Sequence, residues 1–201
     1  MKVLLCYCLM PLLLPHIFFF VAFRFLAKPV CFERIQKDVR VGIKVLQHGE
    51  YNDLLALCWL LFKKKEFRSV YYHRIGLIPS LFCRYLPGMT NLYIQTESDR
   101  IGGGLYIGHG WGTVINADSI GENCLIAQNV TIGSRHYKKP VIGDNVKIFA
   151  HAIVIGEITI GEGSSIGAGS VVVKDVPANC VVVPSKSCII KQNGVRTNVE
   201  L

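Results

Sequence analysis

The chain has 201 residues, 51% of them hydrophobic and 18% charged, with a net charge of +8. That balance excludes a disordered chain, and the length allows one compact domain or a small pair. The eight cysteines are scattered with no C-x2-C zinc spacing, and suit small core hydrophobes of a reducing compartment. Residues 1–100 hold 14 Lys and Arg against 7 Asp and Glu, whereas residues 101–201 hold 8 against 7. The basic front half, with no nucleic-acid motif, suits an anionic membrane face better than nucleic acid.

Residues 1–28 form an apolar N-terminal segment. Val3 to Phe23 is almost uninterrupted apolar sequence, broken by Pro11, Pro15 and His16. About 20 apolar residues can span a bilayer. Arg24, Lys28, Arg34, Lys37 and Arg40 follow, against Lys2 alone before it, so a spanning segment would leave the bulk of the protein in the cytoplasm. No small-residue cleavage site follows, so a signal peptide fits poorly. Two readings stay open: membrane contact through residues 3–23, or a buried N-terminal helix, which the two prolines favour.

Residues 29–92 read as a helical region. Phe32, Ile35, Val39, Ile43 and Leu46 give an amphipathic helix over 32–47, ended by His48-Gly49. A second helix runs from Leu54 to about Phe67, capped by Asn52 or Asp53, with Lys63 to Lys65 at its end. A third stretch runs from Phe67 to Tyr85, with a break or kink expected at Pro79. Pro87-Gly88 makes a turn, and a repeat begins after Asn91.

That repeat occupies residues 93–191. Ile142, Ile148, Val154, Ile160, Ile166 and Val172 share one six-residue register without a miss. Ile120, Ile126 and Ile132 share a second register, and Ile101 and Ile107 a third. The residues between are rich in Gly, Asn and Asp, which take the backbone values of tight corners. One hexad cannot bury its β-branched residue alone, but stacked coils bury a continuous core. The pattern predicts a mainly β fold, a parallel β-helix of hexapeptide repeats, behind an α-helical N-terminal segment. The register breaks twice, with one extra residue between Ile107 and Ile120 and four between Ile132 and Ile142. Insertions in repeat folds become loops on one face, often the binding face. Both breaks carry a histidine, His109 and His136. The register is expected to fail after Val183, and the polar tail, residues 192–201, is expected to fray from Val195.

The segments GGGLYIGHGWGTVIN and IGAGSVVVKDVPANCVVV, with the helical front and the inserted loop, resemble the serine acetyltransferases. These are hexapeptide-repeat acyltransferases that use acetyl-CoA. The resemblance covers about Ile101 to Lys191 well and the helical region loosely. It implies left-handed coils of three hexads and a homotrimer or dimer of trimers, with sites at the seams between prisms. His109, in IGHGWG, matches the family's catalytic histidine, and Arg135-His136 matches an arginine–histidine pair of the inserted loop. Small residues along the acetyl-CoA arm match Gly133, Ala150, Gly167, Ala168 and Gly169, with Lys174 nearby for phosphate. The family's aspartate before the catalytic histidine is Gly108 here, a nearby acidic position is Ala117, and a closing G-x-P-A segment is replaced by Pro184-Ser185-Lys186-Ser187.

His109 sits among Gly108, Gly110 and Gly112, which expose an imidazole rather than bury it. As a neutral ring near pH 7 it can act as general base on an acceptor hydroxyl that attacks a thioester. Without the preceding aspartate, a backbone carbonyl is the expected partner that holds its tautomer. His136 is the second catalytic candidate. Arg135 is read as the site for an acceptor carboxylate, and Trp111 as a wall of the acceptor pocket or a filler of the first break. The small-molecule acceptor is serine, or alternatively a sugar hydroxyl of a surface polysaccharide. A non-catalytic scaffold is the reading from another class. No histidine and carboxylate cluster has metal-ligand spacing, although His109, His136 and His151 could be taken for the three-histidine set of carbonic-anhydrase-like hexapeptide proteins.

Overall fold

Each hexad folds as a short strand and a corner. The computed structural model describes residues 10–25, 29–46, 52–185 and 188–200. The first strands are β1 (Leu92–Ile94), β2 (Tyr106–Ile107), β3 (Thr113–Ile115), β4 (Ser119–Ile120), β5 (Leu125–Ile126) and β6 (Thr131–Gly133). They continue as β7 (Val141–Ile142), β8 (Lys147–Ile148), β9 (Ile153–Ile155), β10 (Thr159–Ile160), β11 (Ser165–Ile166), β12 (Val171–Val172) and β13 (Val181–Val182). Face A stacks β1, β3, β6, β9 and β12; face B stacks β4, β7 and β10; face C stacks β2, β5, β8, β11 and β13. Single bridges from Ile101 to Ile120 and from Ile160 to Val176 extend face B at both ends. Every pairing in these faces is parallel, so the chain climbs B, C, A, coil after coil, as a parallel β-helix.

From Ile101 to Val172 the inward residues are those the hexad registers marked, with Ile115 of β3 added, which the first break had hidden. Ile101, Ile120, Ile142 and Ile160 stack behind face B, Ile107, Ile126, Ile148 and Ile166 behind C, and Ile115, Ile132, Val154 and Val172 behind A. Each is at most 5% exposed. Burying such a side chain fully is worth about 1.5–3 kcal/mol, so stacked ladders of them hold the coils together. At the B-to-C corners Gly104, Asn123, Asn145, Gly163 and Asn179 have φ between 56° and 84°. Gly and Asn occupy these corners because they tolerate the left-handed region.

The breaks fall differently from their simple count. Ile107 to Ile115 takes eight steps and Ile115 to Ile120 five, where a regular side takes six. The single extra residue is therefore two added at the C-to-A corner and one removed at the next corner. All four extra residues between Ile132 and Ile142 sit at the A-to-B corner. The register expected to hold to Val183 is already lost after Val172. Val176 then returns to the interior against Ile160, and Val182 pairs with Ile166. Asp175 bridges the shortened corner, its carboxylate accepting from the Thr159 amide at 2.7 Å.

The helical front is a separate packed cap. It contains a 3-10 turn (Met10–Leu13), then α1 (Leu14–Phe25), α2 (Pro29–Val45), α3 (Asp53–Lys63), α4 (Lys65–Ile75) and α5 (Leu77–Cys83). Asn52 caps α3 by accepting from the Leu55 amide at 2.8 Å. The helix expected to run to Phe67 breaks at Lys64, which is extended. Buried Arg68 explains the break, because its Nη1 donates to the Leu61 (2.5 Å) and Phe62 (3.2 Å) carbonyls that end α3. The kink expected at Pro79 lies at Gly76 instead, with φ 83°. Pro79 falls in the first turn of α5, where a missing N–H costs nothing. The expected stop at His48-Gly49 lies outside the described residues.

His16 fastens α1 to the cap and is fully buried. Its Nε2 lies 3.0 Å from the Tyr72 hydroxyl and its Nδ1 3.2 Å from that of Tyr85. Tyr71 donates to the His16 carbonyl at 2.6 Å. Burial, with Arg68 nearby, pulls the His16 pKa down to about 4.

A buried ion pair joins the cap to the first coil. Arg74 donates to both Asp38 oxygens, at 3.0 and 3.3 Å. Asp38 Oδ1 also accepts from the Gly104 (2.7 Å) and Leu105 (2.8 Å) amides. Arg74 reaches on to the carbonyls of Ile101 (2.7 Å) and Gly102 (2.6 Å). Burial raises the Asp38 pKa, and the guanidinium and both amides oppose it.

The tail does not fray. β14 (Cys188–Gln192) and β15 (Val195–Glu200) form an antiparallel hairpin. Its two-residue loop, Asn193-Gly194, has φ of 50° and 83°, as the turn that suits a twisted hairpin requires.

Candidate active site

The C-to-A corner of the first coil holds a strained turn. The Gly110 amide donates to the Gly108 carbonyl at 2.9 Å, and His109 between them has φ 64°. That is the γ-turn of positive φ, a rare and strained form. Such strain in a non-glycine residue costs on the order of 1–3 kcal/mol and gathers at functional sites. The turn pushes the His109 side chain outward, and Trp111 beside it is 60% exposed. Among the described residues the imidazole has no hydrogen-bond partner, so the expected backbone carbonyl does not hold it. Gly108 is not required by packing, since a Cβ there would meet nothing closer than 3.8 Å.

Three further corners stack on this one. The Asn129 amide donates to the Trp111 carbonyl (2.6 Å), His151 to Gln128 (3.1 Å) and Gly169 to Ala150 (2.9 Å). Asn129, His151 and Gly169 repeat the positive φ of Gly112, their counterpart in the register, while His109 lies in the residues added before it. The result is a ridge along the C-to-A edge that carries His109, Trp111, Ala150, Gly167, Ala168 and Gly169. A Cβ on Gly167 would lie 2.8 Å from the Val182 carbonyl, so the ridge stays low there.

The remaining candidates lie on the opposite edge of face A. Gly133 ends β6, and the four added residues follow it. The Arg135 amide donates to the Lys138 carbonyl (2.9 Å) and Lys138 back to Arg135 (3.1 Å). Between them His136 and Tyr137 have φ of 52° and 65°. This is a type I′ turn with neither glycine nor asparagine in its central positions. Lys138 forms an ion pair with Glu157 of the next coil, pinning the loop. Arg135 and His136 have no side-chain hydrogen bond among the described residues and point to solvent. Lys174 is exposed at the fourth A-to-B corner.

The structure therefore divides the candidates into two sets. His109 precedes β3 while Arg135 and His136 follow its parallel neighbour β6, so a whole face separates them. Three residues at about 3.3 Å each put that separation at roughly 10 Å before the corners are counted. His109 and His151 share an edge but stand two coils apart, so His109, His136 and His151 do not gather in one chain. Among the described residues no group of three or more His, Cys, Asp and Glu is placed to hold a metal ion. Tyr137, 98% exposed at the tip of the I′ turn, was not marked by the sequence pattern. The signal was present in a loop whose central residues are both bulky. A cleft of about 590 Å³ lies between α4, α5 and β1, lined partly by His73 and Arg84, and touches none of the candidates.

Five coils of hexads with a positive-φ histidine at a broken corner define a hexapeptide-repeat β-helix. The bacterial transferase hexapeptide family (six repeats) matches residues 139–174. The chain is 40% identical over 137 residues to the serine acetyltransferase of Synechococcus elongatus, covering 64% of this chain and 54% of that one. It is 46% identical over 102 residues to that of Staphylococcus aureus, covering 48% of each. The chain thus spans about half the length of the curated relatives it matches. Among solved structures, the Neisseria gonorrhoeae serine acetyltransferase in complex with serine is 28% identical, with a TM-score of 0.58 over 77% of this chain and 67% of that one. The soybean serine acetyltransferase complexed with serine is 28% identical, with a TM-score of 0.60 over 81% and 70%. The resemblance read from the two motifs is the one the relatives carry.

Proposed function

We propose that this chain is an acetyl-CoA-dependent O-acetyltransferase with serine as its acceptor. The observation that carries the reading is His109, an imidazole without a hydrogen-bond partner among the described residues, on a strained corner at the foot of a ridge of small residues. His109 takes the proton from the acceptor hydroxyl as it attacks the thioester carbonyl. The acetyl group passes to oxygen, and CoA leaves as the thiol. Ala150, Gly167, Ala168 and Gly169 offer the acetyl-CoA arm a surface without side-chain obstruction. Lys174 and Gly133 complete that channel from the opposite edge. Arg135 receives the acceptor carboxylate, and His136 and Trp111 wall the acceptor.

Because the two sets lie on opposite edges of face A, one chain holds half of each of two sites. A homotrimer of prisms packed side by side brings the ridge of one copy against the I′ turn of the next. Two such trimers back to back leave this seam unchanged. A sugar hydroxyl is the second reading for the acceptor. Gly108 favours it, since that position has room for the carboxylate that would receive an ammonium group and does not carry one.

The test is complementation. His109→Ala and His136→Ala are each expected to lower turnover, the first by about 100-fold or more. Refolding the two variants together in equal amounts should restore about a quarter of the wild-type rate, since that share of seams pairs an intact His109 with an intact His136. No recovery on mixing, with both variants folded, would sink the shared site. Assaying thiol release with serine and with neutral sugars then decides the acceptor.

A further inference from the structure

α1 carries two apolar faces. His16, Phe20 and Phe23, with Leu13 of the preceding turn, are buried against the cap. Leu14, Phe18, Val21 and Phe25, at helical spacing, form a second stripe that points outward and is between 42% and 75% exposed. A helix on a water-facing surface carries polar residues there. α5 repeats the feature, with Leu77, Ile78, Leu81 and Phe82 all more than half exposed. The two stripes are continuous: the Phe19 and Phe82 rings lie 6.1 Å apart, and Leu14, Phe18 and Phe82 line one cleft of about 470 Å³. An apolar surface of this extent marks an interaction site.

Charge decides what kind of partner it fits. The only charged residue of α1 is Arg24, α5 has none, and Arg84 follows it. Both arginines are exposed. No Asp or Glu occurs before Glu33, nor between Glu66 and Glu97. A second copy of this surface would bring the same cations together, and neither α1 nor α5 carries a carboxylate to receive them. An anionic lipid surface offers hydrocarbon to the stripes and headgroup phosphates to the rim. Among the described residues no helix is long and apolar enough to cross a membrane. α1, with 12 residues, is about 18 Å long and is tied down through His16. The geometry is that of a helix pair lying in the interface rather than spanning it.

We propose that the outer faces of α1 and α5 seat the helical cap on an anionic lipid bilayer, in the plane of the membrane. The proposal is independent of the acetyltransferase reading. The experiment is co-sedimentation of the full chain with vesicles of phosphatidylcholine alone and with about a third phosphatidylglycerol. Binding should be about tenfold or more stronger to the anionic vesicles. Phe18→Ser with Phe82→Ser, and separately Arg24→Gln with Arg84→Gln, should each return the chain to the supernatant while circular dichroism shows an unchanged fold. A variant pair that unfolds is replaced by Leu14→Ser with Leu81→Ser, read the same way. Equal binding to both vesicles, or binding that survives the apolar substitutions, would overturn the proposal. So would a vesicle-free self-association in light scattering that the apolar substitutions abolish, which would give the surface to a second copy.

Discussion

The β-helix and the helical cap bury comparable apolar side chains by different rules. In the β-helix every interior residue meets the same neighbours one coil above and below. Ile126, for example, sits between Ile107 and Ile148 on face C. In the cap each contact is made once. Arg68 ends α3, Tyr72 and Tyr85 hold His16, and Arg74 with Asp38 reaches the first coil. Repetition spreads stability over equivalent layers, whereas the cap concentrates it in a few polar groups with no substitute nearby.

The largest expected effect comes from breaking the link between the two regions. Asp38→Ala would leave Arg74 buried without its carboxylate and leave the Gly104 and Leu105 amides unpaired. It should destabilise the protein by about 3–5 kcal/mol, read as a lowered urea midpoint. If the cap unfolds before the β-helix in the variant, hydrogen exchange will show the two regions as separate units.

The next effect is confined to the cap and depends on pH. The folded state holds His16 near pKa 4, below the free value of 6.5. The unfolded state therefore binds more protons between those values, and stability falls as pH drops from 6.5 toward 4. The contribution is fully present above that window and is exhausted below it. Its full size is about 3 kcal/mol, from about 1.4 kcal/mol per unit. His73, also lowered by burial, acts in the same direction. His16→Gln should flatten the dependence of Tm on pH across this window, and an unchanged slope would assign it elsewhere.

The smallest effect sharpens the repetition. Ile148→Val and Ile166→Val should each cost about 1 kcal/mol. Ile107→Val with Ile166→Val, three coils apart on face C, should add, whereas Ile148 and Ile166 pack directly together and should couple. A large cost at one layer alone would show that the coils are not equivalent.

The same contrast governs what the sequence revealed. The hexad register marked the interior of the β-helix because a period of six repeats one environment. The cap's breaks at Lys64 and Gly76 were missed because Arg68 and the seat of α5 act across the fold, where periodicity has no reach. Pro79 misled for a local reason, since a proline reads as a breaker until its place in the first turn is known. The candidate site was legible as two register breaks carrying His109 and His136. Their placement on opposite edges was not, because a count of one extra residue cannot show two added at one corner and one removed at the next. Tyr137 was passed over because sequence alone does not show that both centres of a tight turn are left-handed.

The stacked corners also act as a gauge. Parallel strands lie about 4.8 Å apart, and the C-to-A ridge climbs by that step from Trp111 through Asn129 and His151 to Gly169. Its length, roughly 14 Å, is graduated by backbone hydrogen bonds and not by side chains. Substitutions can change what the ridge touches but not the intervals along it. On the proposed reading, the distance from the cofactor's phosphate end to its thioester is therefore set in whole coils. Moving His109 relative to Gly169 along this edge takes the gain or loss of a complete turn of the chain.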